Sequence, residues 1–467
     1  MVVGEFTQEA ELVVLGGGPG GYTAAFRAAE LGIETVIVDP HGGLGGVCLH
    51  HGCIPSKTLL GIGEAIGLAE RAQRFGVQFS KPMVDLAKVR QWTQQTIETL
   101  AAGLEGLRKK HGVELIKGAA RFEDTRNIVV HDGQVSRLRF KQAVIATGSS
   151  PLSPPGEWPK SPRVMDSAAA LALEAVPRTL LVIGSDYIAV ELASLYAALG
   201  SEVTLAAPDG QLLPQADADL VRPLARRLDT ILAEVCLGTT ITDVREAANG
   251  LEVRFSGVRA AKRNTFERVL VAVGLRPNTD QLDLAKAQVQ LDTHGFVQVD
   301  DQQRSSNPRI FAVGDVTGEL MLADKAMHQA RVAAEVIAGW KSAYDPRTVP
   351  CVVFTDPQVA WCGLSEAQAK AAGIPYQVST APWATSGRAV SMGRTDGRTK
   401  LIVDPDTKLL LGMGMVGAGA GELIAQGVLA LEMGAEVGDL ASSIQPHPTL
   451  SELIGEAARQ TDSASKP

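Results

Sequence analysis

The sequence predicts an α/β protein: two Rossmann-like folds, the second inserted in the first, followed by a C-terminal α+β domain. Two observations predict it. An apolar strand, a glycine-rich turn, a helix and a second strand ending in an acid occupy residues 11–39, and the first four parts of that pattern return at 180–205. Each fold also closes with an apolar strand ending on glycine, at 143–148 and 269–274. After a strand at 309–313, Gly314-Asp315 returns the chain to the first fold.

The elements follow in order. Residues 11–15 form a short apolar strand, closed by Gly16-Gly17-Gly18-Pro19-Gly20-Gly21, and 22–31 are a helical run. The next strand, 35–38, ends in Asp39. Gly16 permits the tight turn, Gly18 lets backbone approach a pyrophosphate, and Gly21 lets helix and strand pack closely. Amides at the helix N-terminus suit phosphates, and Asp39 suits ribose hydroxyls. A glycine turn that binds nothing is the alternative, and the strand, turn, helix, strand and acid in sequence argue against it. Helices are expected near 60–75 and 84–110, and the proline-rich stretch 151–159 reads as a linker. The second fold has a strand at 180–183, the turn Gly184-Ser185-Asp186-Tyr187-Ile188-Ala189, a helix to about 199 and a strand at 202–205. A further boundary is expected at Asp345-Pro346. The expected domains are 1–150 and 279–345 for the first fold, 151–278 for the second, and 346–467 at the C-terminus.

Only five cysteines occur in 467 residues, and two of them lie in Cys48-Leu49-His50-His51-Gly52-Cys53, which runs into Ile54-Pro55-Ser56-Lys57. A close dithiol opens and closes as a disulfide, exchanging two electrons. A metal site is the alternative, since Cys48, His50, His51 and Cys53 all offer ligands. Adjacent His50 and His51 do not converge easily on one tetrahedral ion, so no metal is expected. Cys236, Cys351 and Cys362 read as small buried hydrophobes. Placed just after a dinucleotide turn, the pair suggests a disulfide wired to a flavin.

Hydrophobic residues make up 45% of the chain, as in ordinary globular cores, and the net charge of −8 argues against a nucleic-acid or anionic-membrane surface. The N-terminus lacks a basic flank followed by a signal-length apolar stretch, and no apolar run reaches membrane-spanning length. The expectation is a cytoplasmic protein.

With these residues in place, the chain resembles the dihydrolipoamide dehydrogenases of the flavoprotein disulfide reductase family over nearly its whole length. The resemblance rests on Gly45-Gly46-Val47-Cys48 through Lys57, on Ala146-Thr147-Gly148, and on Gly314-Asp315 with Met321-Leu322-Ala323. It rests equally on His447-Pro448-Thr449-Leu450-Ser451-Glu452. It implies FAD in the first fold, NAD in the second, a C-terminal dimerisation domain, a homodimer, and a lipoyl-bearing carrier protein as partner. By resemblance Cys53 is the thiol against the flavin and Cys48 the exchange thiol that meets the substrate. A free cysteine is mostly protonated at neutral pH, so exchange needs a base. His447 matches that base, acting across the dimer interface, and Glu452 matches the carboxylate that orients it. Thr449-Leu450-Ser451-Glu452 reads equally as a capping box. Lys57 shares a helical face with Cys53 and is paired in the family with the glutamate matching Glu191. Gly46, Thr147 and Gly148 belong to the FAD motifs. Asp315 matches the carboxylate for the ribityl hydroxyls, and Ala323 and Ala120 match backbone contacts to FAD.

The second fold departs from the family. Its residues for NAD are Gly184, Tyr187, Ile188, Glu191 and Gly274, but the middle glycine of the turn is Asp186. The acid ending the following strand is Ala207. No arginine lies nearby to favour NADP. Asp209, two residues on, is a carboxylate that would compensate in a rearranged turn. Leu275 and Gln445 are lesser departures. The leading expectation is oxidation of dihydrolipoyl groups through disulfide and FAD to NAD. The alternatives are another disulfide reductase, or a subunit with weak or lost NAD binding that passes electrons elsewhere.

Overall fold

The computed structural model describes residues 7–132, 136–154, 156–258 and 261–463. The N-terminal hexapeptide and Pro155 of the expected linker lie outside them. The chain divides into two compact units, one made of residues up to Thr58 with Asp85–Leu152 and Gly274–Asp345, the other of Leu59–Val84, Ser153–Val273 and residues from Pro346 onward.

The first unit is built on a seven-stranded sheet. Its strands run, edge to edge, Glu114–Lys117, Thr35–Asp39, Thr7–Leu15, Arg137–Ile145, Asn127–His131 and Ala119–Phe122, with Ile310–Ala312 also paired to Arg137–Ile145. The centre is parallel, with Leu15 opposite Val38 on one side and Ile145 on the other. Leu12, Val13, Val14 and Leu15 are all buried, Val13 and Leu15 in one core and Leu12 and Val14 in another. A parallel strand covered on both faces reads as a continuous apolar run. Burying each such side chain stabilises the fold by about 1.5–3 kcal/mol. The first strand starts at Thr7, earlier than expected, because Thr7 to Ala10 pair with Arg137 to Phe140 far along the chain. The helix Pro19–Glu30 follows the glycine turn, the helix Cys53–Ala72 begins earlier than expected, and Leu86–Lys110 is capped by the Asp85 carboxylate.

In the second unit, five parallel strands lie in the order Glu234–Leu237, Glu202–Ala207, Thr179–Ile183, Arg268–Val271 and Val164–Met165. The helix Tyr187–Ala198 links Thr179–Ile183 to Glu202–Ala207, giving the right order for a second Rossmann-like fold. From Pro346 the chain forms an antiparallel five-stranded sheet, Cys351–Val353, Gln358–Gly363, Leu410–Gly417, Arg398–Val403 and Gln377–Pro382. Ala420–Glu432 and Glu452–Ser463 pack on it around the buried Trp383. The expected α/β class, with two Rossmann-like folds and an α+β C-terminal domain, is what the chain adopts. No described helix is long and apolar enough to cross a membrane.

Candidate active site

The glycine turn of the first fold is shaped by two kinds of constraint. A Cβ on Gly21 would lie 1.8 Å from the Gly16 carbonyl oxygen, so helix and turn leave no room for a side chain. Gly18 is different: a Cβ there would meet nothing nearer than Gly46 Cα at 3.9 Å. Protein packing does not demand that glycine, and its absent side chain leaves a cradle at the helix N-terminus where backbone amides favour an anion. Asp39, at the end of the second strand, accepts from Gly17 N through Oδ2 and from His41 N through Oδ1, both at 2.8 Å.

The dithiol is docked on this turn. Gly45 N donates to Gly17 O at 2.8 Å, and Gly46 approaches Gly18 so closely that a Cβ would lie 2.6 Å from Gly18 Cα. Cys48 lies in the short helix Gly46–His51, which Gly52 ends, and Cys53 begins the next helix. The two cysteines therefore flank a helix break. The Cys48 thiol is pushed well above its ordinary pKa by its hydrogen bond with Cys53 and by burial, with Lys57 acting in the opposite direction. A proton on Cys48 is firmly held, so exchange at that sulfur calls for a base. Lys57 lies one helical turn after Cys53, as expected. His50 is turned to the Leu44 carbonyl at 3.0 Å.

At the same edge of the sheet, where the parallel strands end level with the glycine turn, lie Thr147, Gly148 and Asp315, also expected for FAD. Thr147 Oγ1 donates to Asn278 O at 2.8 Å and Asn278 Nδ2 donates to Thr147 O at 2.9 Å, fixing the bend at Gly148. Asp315 sits in the short turn Gly314–Thr317 and accepts from Ser149 Oγ at 2.6 Å. Burial raises its carboxyl above the usual range, against the opposing effects of Ser149 and Lys325. Gln329 holds this turn by accepting from Gly314 N at 2.8 Å, and Lys325 donates to Gly318 O at 2.8 Å. Ala323 opens the following helix, and Ala120 pairs with Val130 in the sheet. Sequence reading missed Ser149, Asn278, Lys325 and Gln329. For Lys325 and Gln329 the local signal was polar residues beside apolar ones in the helix Ala323–Ile337, whereas Ser149 and Asn278 lie outside any helix.

In the second unit His447 and Glu452 meet. Glu452 Oε1 lies 2.8 Å from His447 Nδ1, and Oε2 accepts from Thr449 N at 2.9 Å. One carboxylate thus orients the imidazole and ties down the Thr449 amide ahead of the helix Glu452–Ser463. The Thr449 hydroxyl donates instead to Pro446 O at 2.7 Å, so the capping box is half-formed. A carboxylate only accepts, so Nδ1 carries the hydrogen and neutral His447 presents Nε2 as a base. The His447 hydrogen bond, then Thr449 N, hold the Glu452 carboxyl below its ordinary range. His447 is 80% exposed, open to whatever meets this surface.

The turn of the second fold places Asp186 at the N-cap of Tyr187–Ala198 with φ −83° and ψ 175°, close to the −71° and −176° of Gly18. The aspartate therefore costs no backbone strain. Its Oδ1 accepts from Tyr187 N at 2.8 Å, so the protein's own carboxylate occupies the helix terminus. Although surface-exposed, its carboxyl is raised above the usual range, first by crowding that removes water and then by Asp209, against Tyr187 N. Ile188 follows Tyr187 in the first turn of this helix, and the buried Glu191 accepts from Phe354 N at 2.9 Å. Gly274 has φ +124° and its carbonyl accepts from Leu152 N at 2.9 Å.

Two nucleotide folds and a dithiol beside the first glycine turn fit one kind of protein, and the comparisons agree. Residues 10–330 match the family described as pyridine nucleotide-disulphide oxidoreductase, and 349–458 match its dimerisation domain. The chain belongs to this family. Among curated members, the dihydrolipoyl dehydrogenase of Vibrio parahaemolyticus is 42% identical over 96% of this chain and 95% of its own. That of Haemophilus influenzae is also 42% identical, covering 96% and 94%. Among solved structures, LpdA from Mycobacterium tuberculosis superposes with a TM-score of 0.88 at 28% identity, covering 97% of this chain and 99% of its own. The HOCl-induced flavoprotein disulfide reductase RclA from Escherichia coli gives 0.86 at 26%, covering 96% and 99%.

Proposed function

We propose that this member of the family is a dihydrolipoyl dehydrogenase. It is a homodimeric, cytoplasmic oxidoreductase that converts dihydrolipoyl groups on a carrier protein to lipoyl, with FAD and with NAD as electron acceptor. The observation that carries this reading is the hydrogen-bonded Cys48 and Cys53 pair, docked through Gly45 and Gly46 on the first glycine turn.

The first fold fits FAD, because the cradle over Gly18 is a space that packing does not require. Gly16, Gly18, Gly21 and Asp39 would hold its adenosine and pyrophosphate end, while Gly46, Lys57, Ala120, Thr147, Gly148, Asp315 and Ala323 would hold the remainder. FAD held there would supply a two-electron acceptor for the reduced thiols and a hydride donor for NAD. In the exchange, a substrate thiolate attacks Cys48 Sγ of the oxidised pair, and the Cys53 thiolate leaves. The second substrate thiolate then attacks its own sulfur in the mixed disulfide, closing the lipoyl ring and releasing Cys48. His447 Nε2 of the facing subunit takes the proton of the first attacking thiol, and the proton of the second passes to Cys48 as it leaves, so the reduced site holds a Cys48 thiol, a Cys53 thiolate and an imidazolium. Glu452 stabilises the imidazolium meanwhile. The raised pKa of the Cys48 thiol means that this proton stays there at neutral pH. The domain division expected from sequence forms part of the same proposal.

A second reading is favoured by one observation. Asp186 fills the helix terminus that should take the NAD pyrophosphate, which suits a subunit with weak or lost NAD binding that passes electrons to another acceptor. Dihydrolipoamide-dependent NADH formation by the purified protein, together with FAD release on denaturation, tests the first reading. A colourless protein with no dihydrolipoamide turnover contradicts it. A yellow protein that oxidises dihydrolipoamide only with artificial acceptors selects the second.

A further inference from the structure

The two Rossmann-like folds match residue for residue around their glycine turns. Gly16 N donates to Val38 O at 2.8 Å, and Gly184 N donates to Ala206 O at 2.9 Å. The loop after the second strand then ties back to the turn in both: Gly45 N to Gly17 O at 2.8 Å, and Leu213 N to Ser185 O at 2.8 Å. In this register Ser185 stands where Gly17 stands, Ala207 where Asp39 stands, and Asp209 where His41 stands. The first fold fixes its strand-end carboxylate by Gly17 N to Asp39 Oδ2 at 2.8 Å. In the second fold Ala207 offers no such carboxylate, but Ser185 Oγ donates to Asp209 Oδ2 at 2.5 Å. A carboxylate is again bound to the second residue of the turn. It comes from two residues later in the chain, and the donor is a side-chain hydroxyl in place of a backbone amide.

We propose that Asp209 is the acceptor for the adenosine ribose hydroxyls in the second fold, and that Ser185 is the positioning residue that sets it there. The inference rests on the reading of NAD as acceptor. Ser185 is buried while Asp209 is exposed, so the hydroxyl is a fixed anchor and the carboxylate faces a ligand. The Asp209 backbone is itself pinned, its carbonyl accepting from Gly238 N at 2.9 Å. Oδ1 takes no hydrogen bond from a described residue, which leaves it for a hydroxyl donor. A carboxylate that accepts from ribose hydroxyls also repels a phosphate on the 2′ oxygen, so the site selects the unphosphorylated dinucleotide.

The test is calorimetric titration of the FAD-loaded dimer with ADP-ribose and with its 2′-phosphate. Asp209→Ala should weaken ADP-ribose binding about ten- to a hundredfold, the loss of a hydrogen bond to a charged group, and should reduce discrimination against the 2′-phosphate. Ser185→Ala should reduce that same discrimination by a smaller factor, which a purely bracing role would not do. Asp209→Ala combined with Ala207→Asp should recover it, the carboxylate returning to the strand end. Unchanged affinity and discrimination in Asp209→Ala would overturn the inference alone. No ADP-ribose binding by the wild type would overturn it together with the NAD reading.

Discussion

Replacing Asp186 by glycine probes the strongest departure of the second fold. The wild-type carboxylate lies at a helix terminus, bonded to Tyr187 N at 2.8 Å. A pyrophosphate brought to those amides meets a like charge. At about 4 Å the repulsion is roughly 1 kcal/mol in water and about 4 kcal/mol at an effective dielectric of 20. Asp186 is exposed, so screening places the cost in the lower half of that range, which corresponds to about a ten- to hundredfold change in affinity. Losing the cap itself costs only a few tenths of a kcal/mol when glycine is the replacement, or about a degree in melting temperature. Asp186→Gly should therefore bind ADP-ribose about ten- to a hundredfold more tightly at neutral pH, with FAD content unchanged. The pH dependence has a defined sign. The carboxyl is raised above the usual range, and below that raised value it is neutral and no longer repels. Wild-type affinity should rise as pH falls through it, whereas Asp186→Asn should show no such rise. Calorimetry of wild type and both variants from neutral to mildly acidic pH is the assay. Equal affinity in wild type and Asp186→Gly at neutral pH would refute the reasoning.

Three further outcomes follow. His447→Gln should slow reduction of the protein by dihydrolipoamide about 10²–10⁴-fold in rapid-mixing experiments, and Glu452→Gln should slow it less, because the imidazole remains and only its partner's charge is lost. Cys53→Ser should abolish the long-wavelength absorbance expected when a thiolate lies against the flavin, while FAD stays bound in an absorbance spectrum. Lys400→Met should lower the melting temperature sharply. Lys400 is 1% exposed and its Nζ pairs with Asp217 and Asp219 at 2.9 Å and with Glu366, so removing it takes the buried cation from three carboxylates. Although Asp219 keeps Arg398 and Asp217 keeps the Glu366 amide, the cost should approach that of a broken buried pair, about 3–5 kcal/mol. The Asp219 carboxyl is held low despite burial by Lys400 and Arg398. The stability from this pairing should thus be present above the ordinary aspartate pKa and lost as pH falls through the depressed value.

What was legible in the sequence was what is local. Both strand, glycine turn and helix units were readable because glycine spacing and apolar runs act within a few tens of residues. The dithiol was readable because its two cysteines are five positions apart. Glu452 was readable as the partner of His447, and its other oxygen accepts from Thr449 N ahead of the helix. Long-range pairings were hidden. Thr7 to Ala10 became strand only through pairing with Arg137 to Phe140, and Ser149 meets Asp315 across a separation of 166 residues. The link between Ser185 and Asp209 was half-visible: the stray carboxylate stood in the sequence, but its hydroxyl anchor depends on the path of the turn.

The central claim is that Cys48 and Cys53 take two electrons from a dihydrolipoyl dithiol and that NAD removes them. Anaerobic stopped-flow mixing of the FAD-loaded dimer with dihydrolipoamide, followed by a second mix with NAD, tests both halves in one experiment. The account predicts rapid two-electron reduction with a long-wavelength band, then reoxidation with NADH formed in proportion to the dimer's active sites. Failure of dihydrolipoamide to reduce the protein at any rate above that of the Cys48→Ser variant would contradict it.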